Sequence, residues 1–559
     1  MTMDRRSLLK SLGLGAAGSA GGAAAQAGAV AFNHGVASGD PHGDSVVLWT
    51  RVTPDDAGTR SIPVSWRVRR ADDAVVAQGQ TTAESARDFT VKVVAAGLKP
   101  GRDYRFDFVV GEVRSPEGRT RTLPEGATPD VVLAVVSCQL YPGGLFNAYD
   151  AIARLDRLDA VVHLGDYIYE YGAAADDYGM DVGATLNRVP DPAHEIVTLD
   201  DYRRRHAQYK TDVDLQAAHA RAPFICVWDD HEVTNDVWTA GAENHQSETE
   251  GDFSARKAAA LKAYFEWMPL REPVAGAMHE AIQRTFHFGD LASLMMVETR
   301  LQARQEQLGY ARDMAMVTGP DGRPAPDVAG FEAKRKAADR DLLGTPQRDW
   351  LARELAASKA SGRPWQVLGN QVVMARVAGP NVAAMYSPEQ IGAMLAGLPE
   401  SVRGEVQKSI GLFSLGMPFN LDSWDGYPAG RERLYEAFKA AGSQPIVLAG
   451  DSHAFWVNDL KDAAGDRRAV EFGTSSISSP SPGDAVGFPL GAALMQTNDE
   501  VVFCDQSAKG YILLTLTPTE ARGDLVAVST IKAKPYEART LKTWRVAMTA
   551  AGMGPLAEG

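Results

Sequence analysis

Five apolar runs in this chain each stop at a residue able to bind a metal or move a proton. Val131 to Val136 leads to Ser137-Cys138, Ala160 to Leu164 leads to Gly165-Asp166, and Phe224 to Trp228 leads to Asp229-Asp230-His231-Glu232. Val367-Leu368 ends at Gly369-Asn370, and Pro445 to Ala449 ends at Gly450-Asp451-Ser452-His453. In Gly165-Asp166-Tyr167-Ile168-Tyr169-Glu170 a carboxylate precedes a phenol by three residues. Aimed at one point, that pair suits a hard trivalent ion such as ferric iron. Alone, a Tyr near a strand end is a packing residue and a lone Cys a small hydrophobe. The company of Asp166 is what makes Cys138 a thiolate candidate.

Asp229-Asp230-His231-Glu232 places four titratable groups directly after a buried run, which is costly unless a cation or a partner absorbs them. Strand alternation sends Asp229 and Asp230 to opposite sides, so one is expected on a metal and the other on backbone or a ring nitrogen. The plain alternative is a salt-bridged loop. His231 is a candidate general acid or oxyanion stabiliser. His453 is the only histidine after His287; the nine besides His231 and His453 read as surface or packing residues. Ser137 lacks a G-x-S-x-G setting and Ser452 sits between two candidate ligands, so no serine nucleophile is expected. Metal ions held by such residues would instead lower the pKa of a bound water and make hydroxide available. Arg188, Arg203, Arg204 and Arg205 are candidates for holding an anionic substrate, but the reading favoured for them is a solvated helix face.

Uninterrupted apolar strands alternating with helical stretches predict an α/β core with central sheets flanked by helices. Such sheets collect their sites at the carboxyl ends of strands, so the candidate ligands are expected on one edge. Helices are predicted at Phe146 to Leu155, Leu199 to Gln208 behind the N-cap candidate Thr198, Ser254 to Trp267, and Thr345 to Ala357. Ahead of them, residues 28–125 alternate apolar and polar in short segments, and Leu98 to Tyr104 resembles the tyrosine corner of fibronectin type III-like sandwiches. A small N-terminal β-sandwich follows, with Trp49 and Trp66 as core. Thr318 to Gly330 and an insertion from Ala375 to Arg433, carrying Trp424-Asp425-Gly426-Tyr427, fit the pattern poorly and read as lids or surface decoration.

Arg5-Arg6 precede a weakly apolar Gly/Ala-rich stretch that ends in Ala25-Gln26-Ala27, which predicts a twin-arginine signal over residues 1–27 and export of the folded chain. No other stretch approaches the length of a membrane span. With 45% hydrophobic and 23% charged residues the composition is that of a globular protein. Lys plus Arg number 57 and Asp plus Glu 71, and the resulting charge of −14 argues against non-specific nucleic-acid binding. Cys138, Cys226 and Cys504 show no C-x-x-C spacing, which excludes a disulfide scaffold and a zinc ribbon and leaves room for at most one bridge.

Taken together, Cys138, Gly165-Asp166-x-x-Tyr169, Trp228-Asp229-Asp230-His231-Glu232 with Asn235-Asp236, Gly369-Asn370-Gln371, Gly450-Asp451-Ser452-His453 and Ser475 to Pro480 resemble the alkaline phosphatase D family over most of the mature chain. The resemblance implies a calcineurin-like, purple acid phosphatase-like metallophosphatase core over residues 126–540, with 541–559 as a C-terminal tail. It implies hydrolysis of phosphomonoesters and also diesters, with iron and calcium as cofactors. Cys138, Asp166, Tyr169 and His453 would hold the iron, Asp166 being shared between metals. Asp230, Asn370 and Asp451 would hold the second site, and His231 would be catalytic. The expected partners are a small phosphate-ester substrate and the twin-arginine export machinery, and the expected location is periplasmic or secreted. A phosphodiesterase or phospholipase D-like enzyme on the same site is the first alternative, and a non-catalytic extracellular binding protein the second.

Overall fold

The computed structural model describes residues 29–559 except 275, 277, 399, 487 and 551, so the expected signal over 1–27 lies outside the described residues. The β-branched run Val131–Val136 forms a fully buried strand, as such runs should when a sheet is covered on both faces. It pairs in parallel with Ala160–His163, which pairs in parallel with Phe224–Cys226. These three lie within a ten-stranded sheet that continues through Lys509–Leu516, Glu520–Val528, Ala538–Thr549 and Gly552–Glu558 on one side. A seven-stranded sheet has the parallel centre Ala292–Met296, Trp365–Gly369, Ile446–Ala449 and Arg467–Gly473.

Side-chain alternation shows how the two sheets stack. Leu294, Met296, Ile446 and Leu448 share one apolar core with Leu133, Val135 and Ile512 of the ten-stranded sheet. Their neighbours Met295, Val447 and Ala449 point the other way, into a second core with Leu351 and Leu355 of helix Gly344–Ala360 and Leu434 and Phe438 of helix Pro428–Ala440. The sheets therefore face each other and helices cover their outer sides, an α/β architecture. The other expected helices form at Asn147–Ala153, Leu199–Tyr209 and Phe253–Trp267. Thr198 caps the second of these in a reciprocal pairing with Asp201.

Two expectations change in the fold. The N-terminal strands do enclose a core between two leaves, with Val46 and Leu48 facing Val64, Phe106 and Phe108. The expected tyrosine corner is present, the Tyr104 hydroxyl accepting from the Lys99 N–H at 2.8 Å. One leaf, however, is not separate: Val36–Gly39, Ser45–Arg51 and Thr90–Ala96 extend the ten-stranded sheet through the pairing of Gly39 with Phe224. Sequence alternation cannot show this, because it sets which face is buried and not which edge is shared. Residues 541–559, expected as a tail, lie largely in the last two strands of the same sheet. Thr318 to Gly330 is an ordered hairpin, Met316–Thr318 with Pro324–Pro326, running into helix Val328–Arg335. The 375–433 insertion carries helices Val382–Met385, Pro388–Ala396 and Glu400–Phe413 and then turns inward at Trp424, which is buried.

Lys210, just beyond helix Leu199–Tyr209, is buried where the N-terminal leaf meets the core. Its ammonium lies over the rings of Trp49 at 4.4 Å and Tyr167 at 5.3 Å, and 3.3 Å from His219 Nε2. Burial lowers its pKa from 10.5 to about 7, so between those values the unfolded chain binds a proton that the folded chain does not. Stability contributed by this site therefore rises with pH across that window, by about 1.4 kcal/mol per pH unit. Lys210→Met should abolish this component. Urea unfolding of both proteins at pH 7 and pH 10 tests it, and an equal pH response in the two would refute the assignment.

Candidate metal centre

The strands end and the chain turns sharply at the residues that carry chemistry. Cys138, Asp166, Asp451 and His453 all adopt left-handed backbone, with φ of 59°, 58°, 59° and 56°. For non-glycine residues this costs about 1 kcal/mol or more each, and such conformations gather at sites where function demands them. Gly165, at φ 109°, permits the closest approach: a Cβ there would collide with the backbone of Asp229. Glu232 fixes the two turns together, accepting from the N–H groups of Asp166 at 3.1 Å, Tyr167 at 2.6 Å and Asp229 at 2.7 Å.

The result is a chain of three overlapping ligand groups. Cys138, Asp166 and His453 form the first, Asp166, Asp230 and His231 the second, and Asp229, Asp230 and Asp451 the third, the ligand atoms within each lying within 4.8 Å of one another. Tyr169 joins the first, its hydroxyl donating to Asp166 Oδ2 at 2.9 Å and lying 3.3 Å from His453 Nε2. Asp166 bridges the first two groups and Asp230 the last two. The orphaned atoms identify what fits here. Asp166 Oδ1, Asp229 Oδ2 and Asp230 Oδ1 are buried carboxylate oxygens without a hydrogen-bond partner. Buried carboxylate oxygens in that state call for cations, and the donor set of thiol, phenol, imidazole and carboxylate suits transition-metal and hard divalent ions.

Electrostatics agree. Burial drives the Asp166 and Asp229 carboxyls well above their ordinary value, although His231 and Arg300 oppose it. Burial and the neighbouring Asp422 and Asp230 push Asp451 up to about 7. Burial likewise raises the Cys138 thiol and the Tyr169 phenol, with Asp166 adding to both, so cation binding would release protons from this cluster. His453 is brought down to about 4 by burial and is neutral at physiological pH. Its Nδ1 donates to the Pro480 carbonyl at 2.6 Å, which leaves Nε2 as the ligand nitrogen. His231 is the opposite case. Burial alone would lower it, but Glu170, Asp230 and Asp166 together raise it well above 6.5, and its Nδ1 is 2.6 Å from Glu170 Oε2. With Nδ1 engaged by Glu170, Nε2 is left for other contacts.

Several sequence expectations are corrected by this geometry. Asp229 and Asp230 share one group instead of diverging, because the strand ends at Cys226 and alternation no longer applies by Asp229. The Asn370 amide already bonds two neighbours, its Oδ1 accepting from the Trp424 indole at 3.0 Å and its Nδ2 donating to the Val372 carbonyl, with the second lone pair of Oδ1 left for an ion. Arg188 and Arg205 are buried instead of forming a solvated face. Arg188 donates to Tyr141 O and pairs with Asp212 at 2.7 Å; Arg205 donates to the carbonyls of Tyr169, Tyr171 and Pro192 and so holds the Tyr169 loop. Arg203 pairs with Glu266, and Arg204 pairs with Asp191 at the surface. Ser137 accepts from the Cys138 thiol and Ser452 from the Trp456 indole, so neither has a base beside it. The three cysteines are free and buried.

Other residues of the site were not singled out in the sequence. Glu170 also accepts from Asn235 N and Asn244 Nδ2. Ser479 bonds both the Tyr169 hydroxyl, at 2.8 Å, and the Cys138 carbonyl, at 2.9 Å. Arg300 and Asp422, 122 positions apart, meet beside Asp229 and Asp451. Glu170 follows Tyr169 directly and Ser479 lies in a motif already noted, so adjacency could have flagged both. Arg300 and Asp422 have no local signal.

Comparison with known proteins bears on the whole chain. The PhoD-like phosphatase model matches residues 133–525, and the N-terminal domain model of the same phosphatases matches residues 16–124. Alkaline phosphatase D of Bacillus subtilis (strain 168) is 34% identical over 549 residues, covering 94% of this chain and 84% of its own length. A solved structure of PhoD superposes with a TM-score of 0.75 at 32% identity, covering 94% of this chain and 92% of that one. With both of its parts matched and a relative similar over nearly its full length, the chain belongs to the PhoD-like phosphatase family.

Proposed function

We propose that this protein is an exported, metal-dependent phosphoesterase that hydrolyses phosphomonoesters, with diesters as a secondary substrate class. The observation that carries this reading is the convergence of three overlapping ligand groups, with orphaned carboxylate oxygens, on one edge of the sheets. Cys138, Asp166, Tyr169 and His453 make a mixed sulfur, oxygen and nitrogen set suited to iron, and Asp229, Asp230 and Asp451 an all-oxygen set suited to calcium. Bound there, the ions supply Lewis-acid charge and an activated water.

The chain's own residues supply the rest. His231, held through its Nδ1 by Glu170, donates to a phosphoryl or leaving oxygen as negative charge develops on it. Glu170 fixes the ring orientation. Tyr171 packs against the His231 ring and Tyr178 against the Tyr169 and His453 rings. The twin-arginine segment over residues 1–27 would deliver the folded, loaded protein beyond the cytoplasmic membrane, and among the described residues no helix is long and apolar enough to cross one.

Initial rates on a chromogenic phosphomonoester and its matching diester, with iron and calcium counted on the same preparation, test the reading. The monoester is expected to be the faster substrate. A faster diester would move the assignment to phosphodiesterase, and no hydrolysis of either with metal bound would leave a binding protein.

A further inference from the structure

Arg300 is fully buried, yet four carboxylates surround it. Its Nε bonds Asp229 Oδ1, one terminal nitrogen bonds Asp422 Oδ2 at 2.7 Å, and the other bonds Asp451 Oδ1 at 2.9 Å and lies 3.7 Å from Asp230 Oδ1. Each of its three nitrogens thus meets a carboxylate, and three of its five N–H donors are spent within the cluster. Asp422 is itself shared with Arg304. The acidic cluster is therefore two-sided. Asp229 turns Oδ1 to the guanidinium, while its Oδ2 is among the orphaned oxygens.

We infer that Arg300 is a resident cation of the Asp229, Asp230 and Asp451 cluster: its fixed guanidinium takes the coordination that a further divalent ion would otherwise occupy, so the cluster holds one ion fewer than its carboxylates could. The inference rests on the metal-centre reading above. Its physical basis is charge and geometry. Burying so many carboxylates together needs positive charge on both sides, and an arginine cannot give up its proton to relieve the strain. An ion can exchange with solvent, whereas a guanidinium cannot leave. Arg300 thereby keeps one half of the cluster assembled at any metal concentration and reserves the orphaned oxygens for the exchangeable ion. It is a positioning residue, since it reaches substrate only through the carboxylates.

The test is calcium titration of the full mature chain by calorimetry, with calcium counted by elemental analysis, for wild type, Arg300→Gln and Arg300→Lys. Arg300→Gln should bind one calcium per chain more than wild type, and Arg300→Lys, which keeps the charge, should bind the same number as wild type. Should Arg300→Gln fold only when calcium is present, with the extra ion counted, the inference stands, because the ion then replaces the guanidinium. Equal calcium numbers in wild type and Arg300→Gln would overturn it. So would an Arg300→Gln chain that stays unfolded at every calcium concentration. Unchanged calcium binding together with weakened binding of inorganic phosphate would assign Arg300 to substrate instead. A wild type that binds no calcium at all would count against the calcium assignment of the metal-centre reading itself, a separate result from equal non-zero numbers.

Discussion

Asp166→Asn is expected to lose metal and activity together, with kcat/KM falling roughly a thousandfold or more. Asp166 belongs to two ligand groups at once, and its Oδ1 is one of the orphaned oxygens. An asparagine keeps the volume but removes the charge and replaces one acceptor with a donor pair, so neither group is completed. The metal-free chain should not suffer, because burial already drives the Asp166 carboxyl toward its neutral form, and a neutral amide costs less to bury. The distinctive outcome is therefore a pair of melting curves. Without metal, variant and wild type should melt at similar temperatures; with metal, wild type alone should gain stability, as binding to the folded state requires. Elemental analysis gives the metal content directly. Wild-type metal content and activity in Asp166→Asn would remove Asp166 from the centre.

His231→Ala should give the contrasting phenotype: metal retained, and kcat reduced by roughly 10² to 10⁴. His231 is placed by Glu170. Glu170, in direct contact with its Nδ1, leads the groups that raise its pKa against burial. Because its pKa is raised, the acid form persists above pH 6.5, and its contribution is lost as pH climbs through that raised value. The alkaline limb of the kcat profile should therefore belong to this residue and flatten in His231→Ala. Glu170→Gln should follow in the same direction with a smaller loss, on the order of 10 to 100-fold, since the ring loses its orienting carboxylate but stays in place. Loss of metal from His231→Ala would make it a ligand, and an unchanged kcat would remove it from the reaction.

Both residues lie just after apolar runs, Asp166 after Ala160 to Leu164 and His231 after Phe224 to Trp228. Asp166 and Cys138 come directly after apolar strands, and a strand's carboxyl end is where a parallel sheet exposes polar groups to a common crevice. The helices were legible for a similar local reason: Thr198 and Asp201 carry their capping geometry within four residues, and the observed helix begins at Leu199. The architecture could be read because uninterrupted apolar runs have few alternatives to covered central strands.

What the sequence by itself determined about this protein was its central apolar strands and four of its helices, the identity of the residues at the strand ends, and the family that those motifs mark. Each is a property of a few adjacent residues, because strand burial, helix capping and ligand type are all decided locally. Only the tertiary structure decided that Asp229 turns toward Asp230, that Asn370 bonds Trp424, that the N-terminal leaf extends the central sheet, and that Arg300 and Asp422 close the acidic cluster. These facts depend on which distant segments meet. In a buried site the neutralising partner of a charge can come from anywhere in the chain, because close contact and loss of water, not sequence distance, set the strength of the interaction.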